Sequence, residues 1–524
     1  MQTVSSDFTA KSDGKVRFID RSVRISFAKT YIPTIDFFTI GSSLIGGSDI
    51  LKGSGAAVQS WDQFVYEDYS DRVLSIEYER AVNAPLTSLT LGIATVIMDN
   101  HDDIFTPGNT DSPLYGYLIP KRPIRISVGF GGELIPVFIG LTEDRPQIDE
   151  SKKTATFNCM DFLSSIKNKT LDEEVMYINH RTDEIIQHLL ESAGLVASQM
   201  DLDYGSVIIP FAYFEKGSKL GDGLSEVAEA ELGNISMSEA GRIIYQNRTN
   251  WNDHTSSWTF DKFKTLERDN TSVSSIINVV EVYSQARAVM AKQKLWESAG
   301  TLEIPASGTL EVWVDFHDDY GALPITTMDD PEYITSATTS KYATNASWDG
   351  SGATMEANVA LDSVDLFSTS AKLVFSNSAT VSVFLTQLEI YATPAKVQND
   401  IYVRVQDDTS VGDHDAYDEQ VYTIKNNFIQ DAVAANSIGK IIVSDMSTDG
   451  NQQDLLVKGI PQLQISDLIT WDETNEVDTF FVTKISATLN DSGFRQRLRV
   501  SKRTIESYFR IGVSTIGGSD KIGP

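Results

Sequence analysis

The stretch "ATVIMDNHDDIFTPGNTDSPLYGYLIPKRPIRISVGF", residues 94–130, holds two strand-like runs on either side of a long polar segment. The first run is rich in β-branched residues, and in the second, residues 123–130, apolar residues alternate with polar or small ones. The segment between them is rich in Asp, Asn, Pro and Gly, which favour turns. Further runs of this kind follow at similar spacing, which predicts a small closed barrel or a sandwich.

The acidic part of this stretch, residues 98–108, invites comparison with a calcium-binding loop. Asp99, Asn100, Asp102 and Asp103 offer hard oxygen donors of the kind that Ca²⁺ prefers. The segment lacks the central glycine and the closing glutamate of an EF-hand loop. We therefore expect a polar turn between strands, in which Asp and Asn side chains accept local backbone hydrogen bonds.

Outward from this stretch, the chain is predicted to be mainly β, with an inserted α/β module at residues 166–265 and a β-sandwich at residues 300–395.

The inserted module is expected because the apolar period changes. "RTDEIIQHLLESAG", residues 181–194, predicts a helix with Thr182 as its cap and Gly194 as its stop. "KLGDGLSEVAEAELGN", residues 219–234, predicts a second helix, and "ISMSEAGRIIYQNRTNW", residues 235–251, predicts a hairpin. Further along, residues 425–445 predict one helix that passes into a strand.

Composition sets limits on function. The chain has 524 residues, of which 41% are hydrophobic and 22% are charged, which is ordinary for a globular protein. Its formal net charge of -30 would repel DNA phosphates, so a sequence-specific DNA-binding protein is not expected. Passage of DNA near such a surface, without adsorption, remains compatible with this charge.

The single cysteine, Cys159, cannot form an internal disulfide, and its alternating apolar neighbours predict a buried structural thiol. Assembly in a reducing cytoplasm would suit such a chain. The first residues lack the apolar core of a signal peptide, and no apolar run is long enough to predict a membrane-spanning helix.

Motifs for catalysis are not found in the sequence. The six histidines form no metal-binding pair and no H-E-x-x-H motif, so we predict no catalytic residue, no cofactor and no metal site. A glycosidase needs two carboxylates, which cannot be recognised among 73 acidic residues, so a cell-wall hydrolase stays open as an alternative. Trp313 and Trp348 are candidate sugar contacts, although burial in a core is the commoner fate of tryptophan.

A short segment occurs twice, as "FFTIGSSLIGGSD" at residues 37–49 and as "YFRIGVSTIGGSD" at residues 508–520. Each copy predicts a strand followed by a Gly-Gly-Ser-Asp turn that docks onto a neighbouring subunit; the alternative is a local hairpin without special function. Neither copy has the G-x-S-x-G pattern of a serine hydrolase. The candidate docking residues are Phe38, Ile40, Gly46, Gly47, Asp49, Phe509, Ile511, Gly517, Gly518 and Asp520.

Several segments, in order, resemble the tail hub or baseplate hub proteins of tailed phages and prophages, a minor tail protein family. Residues 94–130 resemble the first barrel of that family, with "F-x-P", "SPLY" and "RPIRI". The resemblance continues in "PVFIGLTEDRPQIDESKKTATFNCMDFLSSI", residues 136–166, and in "AGRIIYQNR", residues 240–248. It covers roughly residues 65–505, and the two repeated arms lie outside it. The segments similar to the second barrel are "NNFIQDAVAANSIGKIIV", 426–443, and "LVKGIPQLQISDLITW", 456–471.

The resemblance implies a structural, non-enzymatic virion protein at the tail tip, assembled in the host cytoplasm. It implies two barrel-like tube domains, so the expected division is as follows: 1–63, N-terminal arm; 64–165, first β-barrel; 166–265, inserted α/β module; 266–299 with 396–505, second β-barrel; 300–395, β-sandwich; 506–524, C-terminal arm. It implies a homotrimeric ring of six similar barrels that joins the sixfold tail tube to threefold fibre or spike components. Implied partners are tail tube, distal tail, tape measure, and fibre or spike proteins, with DNA passing through the lumen. The alternatives are a receptor- or carbohydrate-binding tail protein, for which residues 300–395 would be the binding module, and a cell-wall hydrolase.

Overall fold

The computed structural model describes residues 1–14, 17–28, 64–82, 89–248, 256–261, 265–270, 276–334, 337–412, 418–447, 452–473 and 476–502. Of the described residues, 48% lie in strands and 15% in helices, so this part of the chain is mainly β, as the sequence predicts.

The first part of the chain is a helix followed by strands. Its elements are α1 Ser6–Asp13, β1 Ile19–Ile25, β2 Glu67–Asp68, β3 Val73–Ala81, β4 Ile93–Asp99, β5 Pro123–Phe130, β6 Glu133–Thr142, β7 Gln147–Asp149, β8 Thr154–Met160 and α2 Leu163–Lys167.

Helices and strands then alternate: β9 Val175–Arg181, α3 Thr182–Ser192, β10 Met200–Leu202, β11 Ile208–Phe214, α4 Leu220–Glu229, β12 Asn234–Met237 and β13 Ile243–Gln246.

A long run of strands follows: β14 Trp258–Asp261, β15 Thr265–Asn270, β16 Val279–Ser284, β17 Arg287–Val289, β18 Gln293–Glu297, β19 Leu302–Ile304, β20 Thr309–Asp315, β21 His317–Asp318, β22 Gly321–Ala322, β23 Ile325–Met328, β24 Glu332–Tyr333, β25 Lys341–Asn345, β26 Val359–Leu366, β27 Ser370–Asn377 and β28 Val383–Val397.

The last elements are β29 Ile401–Gln406, α5 Asp408–Gly412, β30 Val421–Lys425, α6 Ala432–Met446, β31 Gln452–Lys458, β32 Leu468–Glu473, β33 Glu476–Asn490 and β34 Gly493–Ser501.

One large sheet connects the first and last parts of the chain. Its main path is β15-β31-β34-β33-β3-β4-β8-β6-β5-β1-β2. The antiparallel pairing of β3 with β33, from Ile76 opposite Leu489 to Ala81 opposite Lys484, joins the two halves. Among the described strands this path stays open, so the barrel-like parts are two halves of one sheet and no closed barrel is formed.

The alternation of side chains explains why these segments form the sheet. In β8 every second residue is buried, namely Ala155, Phe157 and Cys159, while the residues between them are partly exposed. Most buried residues of both halves belong to one hydrophobic cluster, which includes Trp471 and Phe480. A sheet with more than about ten strands tends to curl, and curling lets one face of both halves enclose a common core.

The α/β module differs from the sequence prediction in one detail. Helix α3 begins at Thr182, but Arg181 is its N-cap, and the Arg181 N–H donates to Glu184 Oε2 at 3.0 Å. Thr182 is therefore the first helical residue and not the cap. The predicted stop is confirmed, because Gly194 has φ of +87°, which glycine adopts without strain. The predicted second helix and the hairpin of β12 with β13 are also confirmed.

The segment at residues 425–445 also differs from the prediction. Helix α6 continues through the β-branched residues Ile442 and Val443 to Met446, so no strand begins within it. The helix packs on a separate three-stranded sheet, β29-β16-β30, whose buried side chains include Val280 and Val282. Burial of both β-branched residues against this sheet outweighs their weak strand preference.

Residues 287–397 form a β-sandwich. One sheet is built on the long strand β28, which pairs with β17, β18, β19, β23 and β25. The other sheet has the order β20-β27-β26. Between them lies a separate core cluster that includes Val314, Leu373, Phe375, Leu385 and Leu388.

Candidate assembly surfaces

The polar turn at residues 98–108 is organised by one buried amide. Asn100 is 0% exposed; its Oδ1 accepts the Phe105 N–H at 2.8 Å and its Nδ2 donates to Thr106 Oγ1 at 3.1 Å. Arg72 donates to both oxygens of Asp102, at 2.9 and 2.7 Å. The predicted polar turn, closed by a side chain that accepts a local backbone N–H, is confirmed.

The loop that follows presents aromatic side chains to solvent. Leu114 and Leu118 are buried in the core of the large sheet, whereas Tyr115, Tyr117 and Ile119 are 52%, 47% and 38% exposed. Two buried leucines therefore hold three large side chains outward. We call Tyr115, Tyr117 and Ile119 the tyrosine loop.

The large sheet also has a polar outer face. We use the name polar face for the outward side chains of β3, β4, β33 and β34, with Asp454 of β31. Its members are Glu77, Glu79, Thr95, Asp454, Lys484, Ser486, Thr488, Arg495, Arg497 and Arg499.

The polar face crosses the join between the two halves and carries two depressions. One cavity of about 460 Å³ lies over β33 and β34, and a second of about 180 Å³ lies over β3, β4 and β33. Ser486 and Thr488 line both cavities, so the two form one continuous depression. Hydroxyl groups at its centre and charges at its sides make it a wetted surface rather than an apolar ligand pocket.

Two ion pairs lie on the polar face. Lys484 Nζ lies 2.6 Å from Glu79 Oε1, and Arg499 donates to both oxygens of Asp454 at 3.0 and 3.2 Å. The Asp454 hydrogen bond raises the pKa of Arg499 above its usual value. These basic side chains therefore meet carboxylates within the face.

A buried ion pair fixes the α/β module to the large sheet. Arg80 of β3 pairs with Glu239, and the two side chains are only 11% and 5% exposed. Glu239 also accepts a hydrogen bond from Gln464 Nε2 at 2.9 Å. Because loss of one partner would leave the other charge buried, this contact holds the module in one position.

The sandwich is joined to the same module through a hydrogen bond from Thr369 Oγ1 to the Glu174 carboxylate, at 2.9 Å.

Neither candidate tryptophan lies in the core, contrary to the commoner fate expected from the sequence. Trp313 on β20 is 55% exposed and Trp348, in the loop after β25, is 71% exposed. The two residues belong to different sheets of the sandwich, so the structure does not bring them together on one strand or one sheet. The ring of Trp313 instead lies beside Phe367, which sequence reasoning missed.

The repeated arms, with docking candidates Phe38, Ile40, Gly46, Gly47, Asp49, Phe509, Ile511, Gly517, Gly518 and Asp520, lie outside the described residues.

Cys159 is buried, as the sequence predicts. Its side chain is 2% exposed, and burial raises the pKa of the thiol well above its usual value. Of the histidines, His188 stacks on the Tyr177 ring at 5.4 Å, and His180 lies 5.5 Å from the same ring. The described residues bring together no group of three His, Cys, Asp or Glu side chains that would hold a metal ion. They also include no helix that is both long and apolar enough to cross a membrane.

Sequence reasoning missed the residues that build these surfaces. Glu239 and Glu79 act through partners far away in the chain, and no local pattern marks them. For the tyrosine loop the sequence did contain a signal, namely two leucines that flank two tyrosines. Leu114 and Leu118 are buried, and Tyr115 and Tyr117 between them are exposed.

No protein-family model and no curated protein matches the chain. Among solved structures, the 43 kDa tail protein of prophage MuSo2 from Shewanella oneidensis is 12% identical, with a TM-score of 0.45 over 85% of this chain and 97% of that one. A tail protein from Neisseria meningitidis MC58 is 7% identical, with a TM-score of 0.45 over 84% and 94% of the two chains. The prophage tail protein gp18 from Listeria monocytogenes EGD-e is 7% identical, with a TM-score of 0.40 over 85% and 94%. All three of these solved structures are tail proteins by name.

Proposed function

We propose that this chain is a structural protein of a bacteriophage tail and that it forms the hub of the tail tip or baseplate. The observation that carries the proposal is the pairing of β3 with β33, which joins two barrel-like halves of one chain into a single sheet with one polar outer face. A hub needs such a surface, because it must continue a tube wall across subunits.

The two barrel-like halves of each chain would allow the tail to change from sixfold to threefold symmetry. In a cyclic trimer, three chains supply six barrel-like halves, so one side of the ring can meet a sixfold tube while the other meets threefold fibre or spike components. The α/β module, held to the sheet by Arg80 and Glu239, and the sandwich then lie outside the ring.

The polar face is the proposed lumen wall. Its hydroxyl groups are wetted, and basic residues such as Lys484 and Arg499 are already bound to carboxylates. These pairs reduce the positive charge that DNA phosphates would meet on such a wall, and the net charge of -30 adds long-range repulsion. DNA would therefore pass without adsorbing.

The tyrosine loop and the two repeated arms are the proposed contacts with other subunits and with tail tube, distal tail, tape measure, and fibre or spike proteins. Exposed tyrosines on a fixed loop are favourable interface residues, because they bury large area at low entropic cost. Each arm would add a strand to an exposed sheet edge. The proposed location is the tail tip of the virion, after assembly in the host cytoplasm.

The test is the mass and symmetry of the purified full chain, measured by native mass spectrometry and class-averaged electron micrographs. We expect a ring of three chains with an open channel. A chain that stays monomeric, also when mixed with the tail tube protein of the same phage, would overturn the proposed hub function.

A further inference from the structure

The outward side of the sheet β20-β27-β26 carries an exposed aromatic pair. Trp313 is 55% exposed, while its strand neighbours Val312 and Val314 are buried in the sandwich core. Phe367, in the turn between β26 and β27, is 46% exposed. We call Glu311, Trp313, Asp315, Asp365, Phe367 and Lys372 the aromatic face.

The two rings are stacked and nearly parallel, and we call this stacked pair the platform. Their centroids are 5.8 Å apart and their planes differ by 17°. The turn that carries Phe367 is closed by the hydrogen bond from its N–H to the Ser370 carbonyl at 2.9 Å. The backbone that carries each ring is therefore fixed by hydrogen bonds, and both rings are exposed to solvent.

Charged side chains lie next to Trp313, on the same strand and on the neighbouring strands of the sheet. Trp313 lies opposite Lys372, and Lys372 lies opposite Asp365 on the third strand. Glu311 and Asp315 are two residues away from Trp313 on the same side of β20. Neighbouring positions of this kind are about 5–7 Å apart. Hydrogen-bond acceptors thus lie on both sides of the indole.

Lys372 connects the platform with this polar rim. Its Nζ lies 5.8 Å from the centroid of Trp313 and 3.0 Å from Glu311 Oε1. The ion pair leaves other ammonium hydrogens available as donors, since an ammonium carries three. The rim therefore offers donors as well as acceptors.

This combination fits one class of ligand. A nucleic acid would be repelled by Glu311, Asp315 and Asp365. A protein interface centred here is disfavoured, because acidic residues are depleted from interface cores. A pyranose ring suits the face, because its C–H groups pack on the electron-rich face of an aromatic ring while its hydroxyl groups bond to carboxylates and an ammonium.

We propose that the aromatic face binds a polysaccharide, with Trp313 and Phe367 stacking on sugar rings and Glu311, Asp365 and Lys372 bonding to their hydroxyl groups. This inference is independent of the proposed hub function. It selects one of the two tryptophans that the sequence offers as sugar contacts.

Trp348 is excluded from the binding site by its position. It lies in a loop of the other sheet, where Asn345 Nδ2 donates to the carbonyls of Gly350 and Gly352 at 3.0 and 2.9 Å. Because Trp348 is also an exposed indole, Trp348→Ala is a matched control for Trp313→Ala.

The experiment is native affinity electrophoresis of the full chain through gels that contain dextran, mannan, galactomannan, xylan or hydroxyethyl cellulose. We expect the wild type to be retarded in at least one gel. Trp313→Ala and Phe367→Ala should each weaken that retardation by about tenfold in apparent affinity, as for aromatic anchors of other binding sites. Trp348→Ala should migrate like the wild type.

Two results would overturn the proposal. One is the absence of retardation in all these gels. The other is retardation that Trp313→Ala and Phe367→Ala leave unchanged, or that only Trp348→Ala removes. Both substituted side chains are exposed, so circular dichroism is expected to show an unchanged fold and to rule out unfolding as the cause of lost binding.

Discussion

Lys484 of β33 lies 2.6 Å from Glu79 of β3, across the strand pair that joins the two halves of the large sheet. Nearby on the polar face, Arg499 is paired with Asp454. These carboxylates hold basic side chains that would otherwise be free to bind phosphate. The pairs therefore connect the geometry of the sheet with the proposed passage of DNA.

The double variant Glu79→Gln/Asp454→Asn should bind DNA more tightly than the wild type, because Lys484 and Arg499 lose their carboxylate partners. With a duplex of about 30 base pairs at roughly 50 to 200 mM salt, we expect several-fold tighter binding and a salt dependence steeper by about two released ions. Fluorescence anisotropy measures both.

The control is Asp172→Asn/Glu173→Gln, which removes the same number of charges at exposed positions of the α/β module. Equal DNA affinity of the two double variants would show that only net charge matters and that the polar face has no special role.

Substitution of the tyrosine loop should weaken assembly but not folding. In Tyr115→Ser/Tyr117→Ser the buried anchors Leu114 and Leu118 remain, so the loop keeps its position while two exposed rings are lost. We expect dissociation at concentrations at least about tenfold higher than for the wild type, measured by sedimentation velocity. Tyr320→Ser, at a tyrosine 65% exposed in the sandwich, is the control. Assembly equal to that of the wild type would exclude this loop as a contact.

Deletion of residues 508–524 should weaken assembly while each chain stays folded, because the proposed docking strand would be lost and no described core residue is removed. Deletion of residues 521–524 alone keeps the repeated segment and is the control. Native mass spectrometry compares the oligomers, and circular dichroism compares the folds. Intact assembly after the longer deletion would contradict a docking role of the second arm.

The sequence predicts strands well where apolar residues alternate with polar ones, as in β8. This alternation, with its period of two residues, indicates directly which side chains are buried. It does not predict that β3 pairs with β33, since alternation states which face is inside but not which strand is the neighbour. The polar face depends on that pairing. For this reason Glu79 and Lys484 could not be recognised as partners.

Helix α6 and the aromatic face also depend on tertiary contacts that the local sequence pattern does not predict. Ile442 and Val443 favour a strand locally, yet tertiary packing places them in a helix. Phe367 follows β26 by one residue, and its contact with Trp313 depends on the registers of β20, β27 and β26. Whether a tryptophan is exposed likewise depends on which face of its strand packs on the core.

The packing of α6 gives a prediction for stability. A methyl group on Gly439 would lie 2.7 Å from Cγ2 of Val405 on β29. Alanine favours a helix by about 1 kcal/mol over glycine, whereas overpacking costs about 1–3 kcal/mol. Because valine is stiff in a strand, we expect Gly439→Ala to destabilise the protein in urea unfolding. In the double variant Gly439→Ala/Val405→Ala, the smaller side chain at residue 405 should recover part of the lost free energy of unfolding. If the losses of the two single variants simply added up in the double variant, a direct contact between the two residues would be contradicted.

The buried carboxyl of Asp161 gives a prediction for pH. Its side chain is 2% exposed, and Oδ2 accepts the Gly92 N–H, while Oδ1 has no hydrogen-bond partner among the described residues. Burial raises the pKa of Asp161 to about 7, against the lowering effect of backbone N–H donors and of Arg80.

The sign of the effect follows from proton binding. In the unfolded chain an aspartic acid loses its proton near pH 4, whereas folded Asp161 keeps it up to about pH 7. Between these values the folded state binds more protons, so the free energy of unfolding falls as the pH rises, by on the order of 2–4 kcal/mol. Above about pH 7 this contribution is lost and no longer changes.

Asp161→Asn removes the titrating group and keeps an oxygen that can accept the Gly92 N–H. We therefore expect the variant to gain stability relative to the wild type as the pH is raised from about 5 to about 8. Thermal unfolding and hydrogen exchange of peptides from β4 and β8 measure the change, with Asp111→Asn in an exposed turn as the control. If Asp161→Asn and the wild type showed the same pH dependence over this range, the carboxyl would already be ionised in the folded protein at pH 5.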